Sequence, residues 1–274
     1  GDWSSDVCSS DLRKDVLKST RESNIRLRHS KVWLMSELRQ GFQDDLDRIR
    51  KQVSTIGAYI VELIPQVTDI MLSGDLKAAE VVIRADKDID DRVLETEELI
   101  LKVLALQSPV AGDLREVTSA LKIIADMERS ADLACNICKA SRRIHGYEMD
   151  PKLRGLIQKL GDQAAMEYRK AVNSYVNRDA MESAALGDID ELLDNLQRQF
   201  LQQIIESHSA QTIDLQVAVQ LTLVARFYER LGDHAVNLAS RVRFIEEGTF
   251  PELHVSDREL SEEVGSPFGP TGSD

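Results

Sequence analysis

The chain has 274 residues, of which 42% are hydrophobic, 30% charged and 5% aromatic, and its formal net charge at pH 7 is −13. This charge argues against a general surface for nucleic acid or anionic membranes, because phosphate groups are held by clustered Lys and Arg. No uninterrupted apolar run approaches the roughly 20 residues needed to cross a bilayer, so we expect a cytoplasmic protein. The small numbers of proline (6) and glycine (14) favour long helices over a turn-rich β architecture.

The N-terminal segment differs from the rest of the chain. Residues 1–12 show no amphipathic period and no signal-peptide pattern, and they resemble one reading frame of a common sequencing adapter. Residues 13–31 are polar and basic, and Met35 directly precedes a strongly periodic segment. We predict that residues 1–34 are a non-native leader, made of adapter plus upstream read-through. The alternative is a native, disordered basic arm.

Hydrophobic periodicity and helix punctuation predict six helices. In chain order they cover about 36–72, 75–106, 109–144, 152–176, 179–206 and 212–246. Pro65 should kink the first helix, while Ser108 should cap the third and Pro109 should take its first position. Residues after Pro251 are rich in acids, Gly and Pro, and the tail 249–274 is predicted to be disordered and acidic.

The second half of the chain repeats the first. Residues 128–136 (Glu-Arg-Ser-Ala-Asp-Leu-Ala-Cys-Asn) return 101 positions later as residues 229–237 (Glu-Arg-Leu-Gly-Asp-His-Ala-Val-Asn). Such a repeat predicts two equivalent domains, at 35–146 and 147–248. The last predicted helix carries apolar residues in unbroken steps of four and three, which is the pattern of an antiparallel bundle. The predicted fold is therefore all-α, with two tandem pseudo-symmetric three-helix bundles.

Acidic residues one helical turn apart form the candidate site. Glu229 and Asp233 lie at i and i+4 beside the apolar seam of their helix, and Glu128 lies on the apolar stripe of its own helix. An ionised carboxylate in such a place needs a cation or hydrogen bonds. Further acid pairs lie on the preceding helix of each half. The candidate metal ligands are Asp86, Asp90, Glu128, Asp132, Asp190, Asp194, Glu229 and Asp233.

Two interpretations of these acids remain open. Acid pairs that face each other from adjacent helices resemble the sites of di-iron helical proteins, and their oxygen ligands suit Mg²⁺, Mn²⁺, Ca²⁺ or Fe. The sequence contains no Glu-x-x-His motif, which argues against a ferritin-like oxidase. The alternative is an ion-pair network on the helix surface, in which Arg129, Arg226 and Arg230 neutralise the acids.

Several motifs together resemble the PhoU family. They are Phe42-Gln43-Asp44-Asp45-Leu46, the Gly74-Asp75 turn, the segment 82–90 (Val-Ile-Arg-Ala-Asp-Lys-Asp-Ile-Asp), the segment 108–115 (Ser-Pro-Val-Ala-Gly-Asp-Leu-Arg) and the two Glu-Arg-x-x-Asp strings. They occur in the family's order between about residues 35 and 248. No single piece would be specific, whereas the ordered set is.

The resemblance implies a homodimeric regulator of phosphate homeostasis. Such a protein restrains the high-affinity phosphate ABC transporter through its ATPase subunit and keeps the phosphate-sensing histidine kinase inactive when phosphate is plentiful. It also implies binding of iron or divalent metal ions (Fe, Zn, Mn or Mg) by the acidic motifs, membrane contact only through partners, and no enzymatic activity. The rival function is a carboxylate-bridged, metal-dependent enzyme, against which the sequence offers no histidine ligands and no paired nucleophile and base.

The repeat also departs from the family pattern. The family usually has Ile-Gly before the Asp of the motif, and this chain has Ser130-Ala131 in one copy and Leu231-Gly232 in the other. A spacing of 100 residues aligns Asp90 with Asp190 and so places Leu186 opposite Asp86. This alignment predicts an incomplete acid pair in the second half, where Asp190 acts with Asp194 or Glu191.

Two other features have simpler interpretations. Cys135 and Cys138 form a Cys-x-x-Cys, but they fall on the apolar seam of a helix and lack the second pair that a zinc site needs. We predict that both are core residues. His234 follows Asp233 and is predicted to lie at the surface or at an interface, pointing away from the line of acids.

Overall fold

The computed structural model describes the backbone of residues 7–248 and the side chains of residues 39–248. The predicted acidic tail, 249–274, lies outside the described residues, as do the side chains of the predicted leader. Internal contacts divide the chain into a unit that ends at Asp47 and a second that begins at Arg48. All the candidate site residues belong to the second unit.

Six α-helices make up the described part of the chain, which contains no β-strand. They are α1 (Val7–Ser73), α2 (Leu76–Gln107), α3 (Ala111–Arg143), α4 (Pro151–Asn177), α5 (Ala180–Ser209) and α6 (Leu215–Glu247). The prediction of an all-α fold is confirmed. The predicted start of the first helix near residue 36 is wrong: α1 begins at Val7, because the polar segment before residue 36 contains no Gly or Pro that would end a helix.

Aspartate side chains cap four of the helices. Asp75, Asp150, Asp179 and Asp214 each accept hydrogen bonds from backbone N–H groups in the first turn of the following helix. The predicted capping role of Ser108 and the predicted place of Pro109 at the first position of α3 are both wrong. Ser108 has a φ of 47° and ends α2, while α3 begins at Ala111 after an extended Val110. The residue before a proline is disfavoured in the right-handed helical region, so α2 ends before Pro109, and α3 begins only after it.

Each repeat folds as a bundle of three helices. α2 packs against α3 in the first repeat, and α4, α5 and α6 all pack against one another in the second. The two repeats meet where α3 packs against α6. All these helices bury one apolar face, as the predicted steps of three and four require. The predicted pair of tandem three-helix bundles is confirmed.

Paired close contacts show the pseudo-symmetry of the repeats. A Cβ on Gly57 would lie 2.9 Å from Val172 Cγ2, and a Cβ on Gly161 would lie 2.2 Å from Thr68 Oγ1. Gly57 and Thr68 are each 104 residues before their counterparts Gly161 and Val172. The first helix of each repeat therefore approaches the other helix through a glycine at the same position.

One stretch of the described chain, 39–73, is long and apolar enough by composition to cross a membrane, with a mean hydropathy of 1.2 in its most apolar window. Half of that window is buried inside the protein. Ile60, Leu63, Ile64 and Val67 contribute at most 2% of their surface to solvent. This burial is what the core helix of a bundle shows.

Candidate metal centre

The structure sets the register between α2 and α5. Their capping residues, Asp75 and Asp179, are 104 positions apart. The same spacing relates buried Ile89 to buried Leu193, and Ile100 to Ile204. A spacing of 104 residues therefore matches both the helix starts and the buried positions. The spacing of 100 residues inferred from sequence is wrong for this helix, because it rested on a two-residue match.

The correct register completes the second acid pair. Asp86 corresponds to Asp190 and Asp90 corresponds to Asp194. Leu186 instead corresponds to Val82, and both are buried. The prediction of an incomplete pair in the second half is therefore wrong, and each repeat carries the same four acids on its second and third helices.

The first acidic cluster consists of Asp86 and Asp90 on α2 and Glu128 and Asp132 on α3. Glu128 and Asp86 are partly buried, whereas Asp90 and Asp132 are exposed. Partial burial raises the pKa of Glu128, and the negative charges of Asp132, Asp90 and Asp86 raise it further. Glu128 is thus close enough to the three aspartates for their charges to act on it.

The second acidic cluster consists of Asp190 and Asp194 on α5 and Glu229 and Asp233 on α6. Burial and then the charge of Asp233 raise the pKa of Glu229 to about 7, with Asp194 and Asp190 adding to the effect. Burial and Asp194 likewise raise the pKa of Asp233. Glu229 Oε2 is buried without a hydrogen-bond partner. The acidic neighbours of Glu229 are the counterparts of those of Glu128, so these four acids occupy equivalent positions in the two repeats.

Arginines neutralise these acids only in part. Arg226 donates to Glu229 Oε1 from one turn earlier on α6. Arg129 pairs with Asp126 on its own helix, at 3.1 Å, rather than with Glu128 or Asp132. The pKa of Glu229 stays raised beside Arg226. The ion-pair network predicted as the alternative is therefore present as one ion pair, Arg226 with Glu229, while the charges of Arg129, Arg226 and Arg230 offset the raised pKa of Glu128 and Asp233 only in part.

The donor set of both clusters fits a hard cation. Every side chain in them offers carboxylate oxygen, the ligand that Mg²⁺, Mn²⁺ and Ca²⁺ prefer. Arg226 pairs with Oε1 of Glu229, and Oε2, which has no hydrogen-bond partner, is the oxygen that a cation would contact. Within residues 39–248, no three His, Cys, Asp or Glu side chains converge on one metal-sized position. The clusters are acid pairs on neighbouring helices, without a complete coordination shell.

Sequence reasoning missed Glu167. This residue lies on α4 with a relative exposure of 0%, and Gln163 Nε2 donates to its Oε1 at 2.7 Å. Its Oε2 is buried with no N–H donor in reach, and the side chain shares a hydrogen bond with Asp190. Burial raises the pKa of Glu167 to about 8, with a further contribution from Asp190. The sequence did contain a signal, because Glu167 falls among the apolar positions of its helix. A glutamate in a helical pattern is normally assigned to the solvent-exposed face, so this signal is easily overlooked.

A buried hydrogen-bonded group links the two Glu-Arg-x-x-Asp motifs. Ser130 Oγ lies 2.9 Å from His234 Nδ1, accepts a hydrogen bond from Tyr168 at 3.1 Å, and donates to the backbone carbonyl of Asp126 at 2.7 Å. His234 is 6% exposed, so of its two predicted positions the surface is wrong, and the residue lies at the interface between the two repeats. Its side chain lies inside because α6 packs against α3 on this side.

The two cysteines of α3 behave as predicted. Cys135 and Cys138 are buried free thiols. Burial raises the pKa of both thiols, that of Cys138 to about 12. A thiol in this environment is a poor nucleophile and metal ligand at neutral pH, because the thiolate is the reactive form. The prediction that both are core residues is confirmed.

Comparison with known proteins identifies relatives over most of the chain. A family model described as the PhoU domain matches residues 53–141 and 157–242. The phosphate-specific transport system accessory protein PhoU homolog 1 of Mycobacterium leprae is 32% identical over 216 residues, covering 78% of this chain and 96% of the relative. The homolog 1 of Mycobacterium tuberculosis is 38% identical over 185 residues, covering 67% of this chain and 83% of the relative.

Solved structures show the same fold. The crystal structure of PhoU from Pseudomonas aeruginosa superposes with a TM-score of 0.72 at 22% identity, over 76% of this chain and all of that one. The phosphate transport system regulatory protein PhoU from Streptococcus pneumoniae superposes with a TM-score of 0.70, also at 22% identity, over 76% of this chain and 98% of that one. At this identity the similarity concerns the fold alone.

Proposed function

The chain belongs to the PhoU family, and on that premise we propose that it is a cytoplasmic, non-enzymatic regulator of phosphate homeostasis. It restrains a high-affinity phosphate ABC transporter through the ATPase subunit. It also keeps a phosphate-sensing histidine kinase inactive when phosphate is plentiful. The names of the relatives, which describe accessory proteins of a phosphate-specific transport system, support this role.

The observation that carries the proposal is the pair of equivalent acidic clusters. Each repeat places four carboxylates at matching positions on its second and third helices, although burial and then repulsion from the neighbouring acids raise the pKa of Glu128 and Glu229. Partly buried acids with raised pKa that cluster at matching positions in both repeats are a feature of binding sites. We propose that both clusters hold iron, manganese, magnesium or zinc ions. A bound cation would neutralise the acids and join the second helix of each repeat to the third.

Metal analysis tests this part of the proposal. Protein purified without chelator is expected to carry metal at both clusters, and Glu128→Ala with Asp132→Ala is expected to remove the share held by the first. Asp91→Asn with Glu95→Gln is the matched control, because these exposed acids of α2 have the same i, i+4 spacing outside the cluster. Absence of metal from both wild-type protein and the cluster variant would overturn metal binding.

The internal geometry supports a regulator rather than an enzyme. Ser130 and His234 are a serine and a histidine in hydrogen-bond contact, but Ser130 is 0% exposed and donates its proton to the Asp126 carbonyl. The hydroxyl also accepts from Tyr168. His234 Nδ1 must then carry the proton that it shares with Ser130, and burial lowers the pKa of this imidazole to about 4. A histidine that donates to the serine cannot act as its base.

Deletion of the gene tests the regulatory role. We expect phosphate-starvation genes to stay switched on in high phosphate, and phosphate uptake to remain high, until the wild-type chain is restored. The chain with Glu128→Ala and Asp132→Ala should restore repression less well than the Asp91→Asn, Glu95→Gln control. Unchanged expression of the starvation genes after deletion would contradict the regulatory proposal.

We also propose that the protein acts as a homodimer that reaches the membrane only through its partners. Light scattering of the purified chain should give twice the monomer mass of 30.7 kDa. A tagged chain should retain the transporter ATPase subunit and the histidine kinase from cells grown in high phosphate. A monomeric mass in solution would contradict dimer formation, and loss of both partners in such an experiment would contradict the adaptor role.

A further inference from the structure

A fifth carboxylate lies beside the second acidic cluster. Glu167 is fully buried on α4, a helix that contributes none of the four acids of the cluster. Gln163 donates to its Oε1 at 2.7 Å and to the backbone carbonyl of Ile189 at 3.3 Å. The same amide thus ties Glu167 to the residue before Asp190 on α5. With Oε1 held in this way, Oε2 is the oxygen left for another partner.

Oε2 of Glu167 faces the cluster across a glycine. A Cβ on Gly232 would lie 2.9 Å from Glu167 Oε2 and 2.6 Å from Asp190 Oδ1. Both oxygens therefore occupy the gap that the missing side chain of Gly232 leaves open. Ionised carboxylates can only accept hydrogen bonds, so two of their oxygens approach each other closely only when a proton or a cation lies between them. The Glu167 and Asp190 side chains are hydrogen-bonded to each other, so one of them carries the proton that a bound cation would replace.

The first repeat lacks both parts of this arrangement. The register of 104 residues that relates α1 to α4 places Leu63 at the position of Glu167, and Leu63 is 2% exposed. The register of 101 residues that relates α3 to α6 places Ala131 at the position of Gly232. A glutamate therefore occurs in the repeat that has the glycine, and a leucine in the repeat that has the larger alanine.

We propose that Glu167 is an additional ligand for a divalent cation in the second acidic cluster, so that the two metal sites of the protein are unequal. The second site has five carboxylates from three helices, and the first has four from two helices. The additional carboxylate makes the second site the tighter one and joins α4 to the cation. This inference rests on the proposed metal binding by the acidic clusters.

Mn²⁺ titration of single-cluster variants tests the assignment. Glu128→Ala with Asp132→Ala leaves only the second cluster, and Glu229→Ala with Asp233→Ala leaves only the first. The paramagnetic resonance signal of free Mn²⁺ measures binding to each. Adding Glu167→Gln should raise the Kd of the second cluster about 10-fold or more, since even residues behind the ligands change metal affinity 10- to 100-fold. The Kd of the first cluster should not change.

A second substitution tests the same geometry without changing Glu167. Gly232→Ala places a methyl group in the gap between the two oxygens, so it should weaken the second cluster and leave the first unchanged. Ala131→Gly is the matched control in the first repeat, and it should leave Mn²⁺ binding at the second cluster unchanged. Circular dichroism and thermal unfolding of metal-free protein show whether each variant is folded.

The outcomes separate this inference from the proposal beneath it. If the wild-type chain binds Mn²⁺ at both clusters and Glu167→Gln leaves the Kd of the second unchanged, Glu167 holds a shared proton and the assignment is wrong, while metal binding stands. Weakening of both clusters by Glu167→Gln would also overturn the assignment, because it would indicate a general structural role. If the wild-type chain binds no Mn²⁺, Fe²⁺ or Zn²⁺, metal binding itself is overturned.

Discussion

Glu116 offers a sharp test of how the repeats are held together. Its side chain is 7% exposed on α3, where it accepts hydrogen bonds from Arg50 of α1, including one from Nη2 at 2.7 Å, and from Arg178 Nη2 at 2.9 Å. Arg178 follows the last residue of α4. One carboxylate therefore binds two helices of its own repeat to the end of a helix of the other.

The cost of removing this charge follows from the exposure of its partners. Removing one member of a fully buried ion pair costs about 3–5 kcal/mol, because the remaining charge stays in the interior. Here Arg50 is 33% and Arg178 45% exposed, so both can recover water. We expect Glu116→Gln, which keeps the shape of the side chain, to lower the free energy of unfolding by about 2 kcal/mol. For a chain of this size the melting temperature should fall by about 4–8 °C.

Urea unfolding at pH 7 measures this loss. Glu246→Gln is the matched control, since Glu246 contacts the same Arg178 at 3.4 Å but is itself 31% exposed. An exposed pair contributes little, so the control should cost about 0.5 kcal/mol or less. A cost for Glu116→Gln no larger than that of Glu246→Gln would refute the reasoning.

The pH dependence provides a second check. Burial by itself would raise the pKa of Glu116, but the hydrogen bonds and charges of Arg50 and Arg178 more than offset it, and the pKa is lowered from its ordinary value of 4.5. A lowered pKa stabilises the folded state above the unfolded pKa, and this stabilisation is lost as the pH falls through the folded pKa. The difference between wild type and Glu116→Gln should be full at pH 6–7 and should shrink below about pH 4.5. A difference that is constant down to pH 3 would contradict the assignment.

Two further predictions concern packing. Gly161→Ala should destabilise the protein by about 1–3 kcal/mol in urea unfolding, because its Cβ would lie 2.2 Å from Thr68 Oγ1. Gly155→Ala on the same helix is the control: a Cβ there has no atom within 4 Å, so the substitution should stabilise the protein by about 0.5–1 kcal/mol. Equal effects of the two substitutions would contradict this reasoning. In a variant whose remaining cysteine is replaced by serine, Cys135 and Cys138 should react with a thiol reagent only as fast as the protein unfolds locally, because both thiols are buried and have a raised pKa. Rapid labelling of the folded protein would contradict their place in the core.

The features that depend on neighbouring positions along a helix could be predicted from the sequence. Helical periodicity and the 101-residue repeat were enough for the all-α fold and the tandem bundles, because side chains three and four residues apart share a helix face whatever the surroundings. The i, i+4 spacing of Glu128 with Asp132, and of Glu229 with Asp233, also follows from the helix alone. The sequence therefore predicts the position of these acids on their helices without knowledge of the packing.

The register between helices depended on the tertiary structure. Short matches such as Ile89-Asp90 with Ile189-Asp190 allow several alignments, and only the caps and buried positions of α2 and α5 select the spacing of 104 residues. A two-residue match carries little information. The spacing of 100 residues is shifted by four from the correct one, and it would leave the capping residues and the buried positions of α2 and α5 unmatched.

The sequence by itself determined which residues form helices and which acids lie one turn apart, since both are properties of a single helix. Only the tertiary structure decided that Glu167 and His234 are buried, because burial depends on which helix packs on which face. A glutamate in a helical pattern is normally assigned to solvent, and only the contact of α4 with α5 and α6 places Glu167 beside Asp190 and Gly232. The difference between the two clusters therefore arises from packing between helices rather than from the repeated motif.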